Sequence, residues 1–81
     1  MKNIIIISVE QRQSVSASVQ EVLTQFGCFI KTRLGITDSS KEKCSQTGLI
    51  ILEFIGSEKE ISSITEKLAA IKGVKVKTVS I

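Results

Sequence analysis

Hydrophobic and polar positions follow two rhythms along this chain, and the order of the rhythms predicts the fold. Residues 4–9, Ile-Ile-Ile-Ile-Ser-Val, are apolar and mostly β-branched on both sides of a period-2 repeat. That composition predicts a strand in the interior of a sheet. A polar connection, Glu10-Gln11-Arg12-Gln13, leads into a helix from about Ser14 to Phe26. Val15, Val19, Val22, Leu23 and Phe26 recur there at i, i+4, i+7, i+8 and i+11, one face of a 3.6-residue period. Gly27 follows as a left-handed residue just past a helix end would. Residues 28–34 then alternate Cys28, Ile30, Thr32 and Leu34 with Phe29, Lys31 and Arg33, the pattern of a half-buried strand.

The second part of the chain repeats the plan. Thr37 to Thr47 is polar throughout and is expected to be the loop of a long antiparallel hairpin. Leu49 to Ile55 is the most apolar strand and is expected at the centre of the sheet, ended by Gly56. Ser57-x-x-Glu60 fits a capping box, in which the serine oxygen and the carboxylate three positions on satisfy opposing backbone N–H groups. The helix it starts carries Ile61, Ile64, Leu68 and Ile71 on one face and stops at Gly73. Val74 to Ile81 alternates as a last strand, with Lys75 and Lys77 outward as an edge strand would place them.

The order is therefore βαββαβ. Each strand–helix–strand unit crosses over right-handed, and two interleaved units give an α+β ferredoxin-like sandwich. Its four-stranded antiparallel sheet carries two helices on one face, in a single domain over residues 1–81. The other face has no helix to cover it. If Ile5, Ile7, Val9, Ile50, Leu52 and Phe54 point to the helices, Ile4, Ile6, Leu49, Ile51 and Ile55 point away. The opposite register only moves the patch to the other set. Either way a monomer would present a contiguous aliphatic patch to water, which marks an interface. A homodimer or homotetramer through this face is the expectation.

Composition narrows the chemistry. Eighty-one residues with 42% hydrophobic against 23% charged make a folded chain with a thin core. A net charge of +3, with the lysines spread out, lacks the basic footprint of a nucleic-acid binder. Cys28 and Cys44 belong to no C-x-x-C pair and are expected as reduced thiols in a cytoplasmic protein, Cys28 buried and Cys44 solvated in the loop. The Ile4–Ile7 run is too short to span a membrane. RNA-recognition domains with this order of elements stack bases on aromatics in the middle strands, where this chain has Ile and Leu. With no histidine and two separated thiols, one chain supplies no nickel or zinc site, and no cofactor is expected. No catalytic constellation is present, so the expectation is a protein that is not an enzyme. Glu53 is the one acid within the central strand; it is assigned to the interface set, where it pairs with a cation across subunits, lies at a solvated rim, or contacts a ligand. Arg12 and Arg33 are the candidate effector-binding residues, because guanidinium holds carboxylate or phosphate bidentately.

The strand Lys31-Thr32-Arg33-Leu34-Gly35-Ile36 carries a resemblance. With Val9-Glu10, Arg12, Ser14-Val15, the helix from Ser57 to Leu68 and the closing Gly73-Val74-x-Val76-Lys77, it spans essentially the whole chain. The sequence resembles the regulator family of the iron-only hydrogenase system, small stand-alone ACT-like proteins of anaerobic bacteria. Arg33-Leu34-Gly35 is also similar to the C-terminal domain of nickel-responsive repressors, without their nickel-binding histidines or their preceding DNA-binding ribbon-helix-helix. The resemblance implies a regulatory, oligomeric ACT-like module with no DNA binding of its own. It implies binding of a small effector between subunits, anionic if Arg12 or Arg33 contacts it, or, in the alternative, a structural oligomerisation or docking protein for another regulatory protein, with no metabolite. ACT domains commonly bind amino acids near the turn after the first strand using a glycine; Glu10–Gln13 has none.

Overall fold

The computed structural model describes residues 3–10, 13–39 and 44–81. Strand β1 (Asn3–Glu10) leads to helix α1 (Gln13–Gln25), a 3-10 turn (Gly27–Phe29) and strand β2 (Ile30–Ser39). Strand β3 (Cys44–Phe54), helix α2 (Glu58–Ala69) and strand β4 (Val74–Ser80) complete the chain. The sheet order is β2-β3-β1-β4, and every neighbouring pair is antiparallel. This is the ferredoxin-like βαββαβ sandwich that the periodicity predicts, with β1 and β3 central and β4 at an edge.

The core lies between the sheet and the helices. Ile5, Ile7, Val9, Leu52 and Phe54 meet Val15, Val19, Leu23 and Phe26 of the first helical segment and Ile64 and Leu68 of the second. No polar or charged side chain is buried among the described residues, so hydrophobic burial holds the fold together. Strand alternation explains which residues enter: Ile5 and Ile7 are fully buried, while Ile4 and Ile6, which alternate with them, remain partly exposed.

Local chemistry fixes the ends of α2. The Ser57 backbone N–H donates to Glu60 Oε1 at 2.9 Å and its hydroxyl donates to the same oxygen at 2.7 Å. These bonds hold the Glu60 carboxyl below its ordinary pKa, the side-chain bond most strongly. At the other end Gly73 has φ 92, a conformation that costs a residue with a Cβ, and Val74 N–H returns to the Ile71 carbonyl at 3.2 Å. Gly56 is needed for a different reason: a Cβ there would stand 2.6 Å from the Phe54 ring and 2.9 Å from Glu60 Cβ. Phe54 is buried and cannot yield that space.

Three expectations about the middle of the chain are corrected. Gly27 is not left-handed; among the described residues Gly73 alone has positive φ. The chain instead continues from α1 into the 3-10 turn, with Phe29 N–H donating to the Phe26 carbonyl at 2.9 Å. With three residues per turn, Phe26 and Phe29 fall on one side and both rings pack on Phe54, at 6.5 and 5.9 Å between centroids. Cys28 lies between these anchors and is exposed, not buried. Finally, the polar stretch is not all loop. β2 runs through Thr37 and Asp38 to Ser39, and β3 begins at Cys44, whose Cα partner is Ser39. Backbone ladder bonds carry the hairpin past the end of its apolar residues.

Candidate functional site

The helix-free face is built by register. On β1 and β3, Ile4 is opposite Glu53, Ile6 opposite Ile51 and Ser8 opposite Leu49. Directly opposed residues point to the same side of a sheet, so all of these share the face away from the core. β4 adds Val79 beside Ile4, Lys77 beside Ile6 and Lys75 beside Ser8. β2 adds Thr32 beside Glu53 and Leu34 beside Ile51. Ile4, Ile6, Leu49, Ile51 and Glu53 are only partly buried. Leu34 is 53% exposed and Ile55, just beyond β3, 61%.

Leu34 reaches this face because of a β-bulge. Ile30 pairs with Phe54, but Thr32 pairs with Glu53, so the register shifts by one residue between them. The expected alternation of Cys28, Ile30, Thr32 and Leu34 on one side is thereby broken. Ile30 packs against the core, while Thr32 and Leu34 turn to the open face. Single-strand periodicity cannot reveal such a switch, because the extra residue is visible only in the pairing. Lys75 and Lys77 were legible in part. Their alternation with Val74 and Val76 puts them outward, but only the partnership with β1 sets them beside Ile6 and Ser8.

The polar contacts described around the face are exposed. Thr32 Oγ1 donates to Glu53 Oε1 at 3.3 Å. Arg33, one position on, is opposite Leu52 and therefore points to the helix side of the sheet. Its Nη2 donates to Gln20 Oε1 of α1 at 2.7 Å. Arg33 and Glu53 thus lie on opposite faces of neighbouring strands. Arg12 lies outside the described residues, so the structure does not place it relative to Arg33. A separate shallow groove between the helices is lined in part by Val22, Gln25, Lys67 and Ile71. There Lys67 Nζ donates to Gln25 Oε1 at 3.1 Å and stands 5.4 Å over the Phe26 ring. Among the described residues no three His, Cys, Asp or Glu side chains gather as metal ligands, and no helix is long and apolar enough to cross a membrane.

Comparison with known proteins gives three kinds of result. The family model TM1266-like, described as "Iron-only hydrogenase system regulator, putative", matches residues 2–78. No curated protein matches the chain. Among solved structures, the chain is similar to the uncharacterized protein TM1266 from Thermotoga maritima. The identity is 32%, with a TM-score of 0.86 over 96% of this chain and 92% of that one. The ACT domain from GTP pyrophosphokinase of Chlorobium tepidum aligns with TM-score 0.73 at 17% identity, covering 98% of this chain and 97% of that one. A formyltetrahydrofolate deformylase from Pseudomonas putida KT2440 aligns with TM-score 0.62 at 13% identity, covering all 100% of this chain and 29% of that one. At those identities the last two likenesses establish the fold alone, which in the pyrophosphokinase is that of its ACT domain.

Proposed function

The chain belongs to the TM1266-like family of iron-only hydrogenase system regulators, and from that premise we propose that it is a regulatory ACT-like module, not an enzyme. It self-associates through its helix-free sheet face and takes a small anionic effector at a subunit boundary. The aliphatic set Ile4, Ile6, Leu34, Leu49 and Ile51 carries this reading, since a monomer would leave it in water. For the effector, Arg33 supports the reading by its position on the edge strand β2, where an exposed guanidinium has further N–H groups beyond the one on Gln20. Arg12, which follows β1 in sequence, is the second proposed anion contact.

A second reading is favoured by one observation. Arg33 points away from the aliphatic face and already holds Gln20, so an interface on that face would contain no described arginine. On this reading the module oligomerises and docks another regulatory protein without a metabolite.

Thermal-shift screening of anionic metabolites separates the two, because a ligand specific to the folded state raises the midpoint. Under the first reading a hit loses roughly tenfold to a hundredfold in affinity in Arg33→Ala or Arg12→Ala, the worth of one or two charge-assisted hydrogen bonds, with the oligomer intact. A hit unaffected by both substitutions removes the arginines from the site. Absence of any anionic ligand favours the docking module.

A further inference from the structure

We propose that two copies of this chain pack their open faces orthogonally, so that Glu53 of each copy pairs with the partner's Lys77. The inference rests on the self-association reading above and adds the geometry by which it would occur. Neighbouring strands stand ~4.8 Å apart, and alternate residues along a strand ~6.8 Å apart. The open face is therefore a grid whose rows can be read across the sheet in the order β2-β3-β1-β4. One row is Thr32, Glu53, Ile4, Val79; the next is Leu34, Ile51, Ile6, Lys77. The third contains Leu49, Ser8 and Lys75 on β3, β1 and β4. Among the described side chains on these rows, the charges are Glu53, Lys75 and Lys77.

A face-to-face dimer needs a two-fold axis parallel to the sheet, and sheets pack either aligned or orthogonally. An axis along the strands lays β2 on the partner's β4. It sets Leu34 on the partner's Lys77 and Glu53 on the partner's Ile4. An axis across the strands sets Glu53 on the partner's Leu49 and Val79 on the partner's Lys75. Both arrangements oppose charges to aliphatic side chains. The diagonal axis from Thr32 to Lys75 brings Lys75 against the partner's Lys75, a like-charge contact, and leaves Glu53 between the partner's Thr32 and Leu34. The other diagonal starts at Val79 and passes between Ile6 and Ile51. It places Glu53 between the partner's Lys77 and Lys75, nearer to Lys77.

The same operation satisfies the rest of the face. Leu34 lies over the partner's Leu49, and Ile6 and Ile51 of both copies meet at the centre. Lys75 falls over the partner's Thr32. Lys77 lies between the partner's Glu53 and Ile4, so its methylene stem covers the isoleucine while its ammonium reaches the carboxylate. Self-complementarity of this kind, with apolar centre and paired charges at the border, is what a second copy supplies. It also gives Leu34, brought to this face by the bulge, an apolar partner.

Sedimentation equilibrium of the full chain at low ionic strength tests the pairing by charge exchange. Glu53→Lys and Lys77→Glu should each weaken self-association at least tenfold, because each turns two attractive contacts per dimer into repulsive ones. The double variant should recover most of the loss, and Lys75→Glu should weaken association less than Lys77→Glu does. Lys77 is exposed on an edge strand, so Lys77→Glu keeps the fold, and unchanged association in that variant alone overturns the pairing. A double variant weaker than either single one overturns it too. If wild type associates and Ile51→Lys dissociates it, yet charge exchange gives no rescue, the open-face interface stands and the orthogonal packing falls. A monomeric wild type removes both.

Discussion

The two faces of the one sheet are made of the same amino acids and have different fates. Toward the helices, Ile5, Ile7 and Leu52 are 0% exposed, packed under α1 and α2. On the other side Ile4, Ile6 and Ile51, each one position away, are only partly buried by their own sheet. Strand alternation decides the side, but only a covering layer decides burial. The open face thus retains hydrophobic driving force that the isolated fold has not used. The covered face has no charge among its buried residues, whereas the open face carries Glu53, Lys75 and Lys77 around its aliphatic centre. One face is built for stability, and the other has the composition of an interface with a polar rim.

Substitutions on adjacent residues of β3 set this contrast most sharply. Ile51→Lys puts a charge at the centre of the proposed interface and should cost association roughly 3–5 kcal/mol while leaving the far-ultraviolet dichroism of the fold unchanged. Leu52→Ala, its neighbour, should do the reverse. It removes side-chain volume from a fully buried site and should lower folding stability by about 2–5 kcal/mol in urea titration. If both variants fail in the same assay by the same amount, the two faces are not the separate devices described here.

Gly56→Ala probes the covered face from its rim. The added methyl meets the Phe54 ring and Glu60 Cβ, so a loss of about 1–3 kcal/mol is expected, with no direct effect on the open face. A neutral result would mean that Phe54 can shift, which its anchoring by Phe26 and Phe29 argues against.

What the sequence made legible follows the same division. The order of elements, the burial of Ile5, Ile7 and Leu68, the capping pair Ser57 and Glu60 and the stop of the second helix at Gly73 all depend on local pattern. Each could be read along the chain. Gly27 could not, because whether a helix ends by reversal or by a 3-10 turn depends on where Phe26 and Phe29 find a partner. That partner is Phe54, far along the chain. The exposure of Cys28 follows from the same contact. The parting of Leu34 from Ile30 was not legible either, because a bulge is a property of two strands. That Ile4, Ile6, Leu49 and Ile51 share one face is legible, since alternation names both faces at once. The side of the sheet taken by Arg33 was not, for it required the pairing with Leu52.

The smallest expected effect concerns pH. Glu60 has a folded-state pKa lowered by its bonds from Ser57, so its contribution to stability is full above the unfolded-state pKa and is lost as pH falls through the folded value. Comparison of thermal midpoints between neutral pH and about pH 3 should show Glu60→Gln losing less than wild type over that interval. An identical loss in both would assign the acid sensitivity to other carboxylates.

The open face as a self-association surface is tested most directly by the molar mass of the wild-type chain in solution. One chain is 8.8 kDa, and light scattering at micromolar concentration should give at least twice that mass, falling toward the single-chain value on dilution. A mass of 8.8 kDa at every concentration would contradict the account, because the aliphatic face of β1, β3 and β2 would then rest in water.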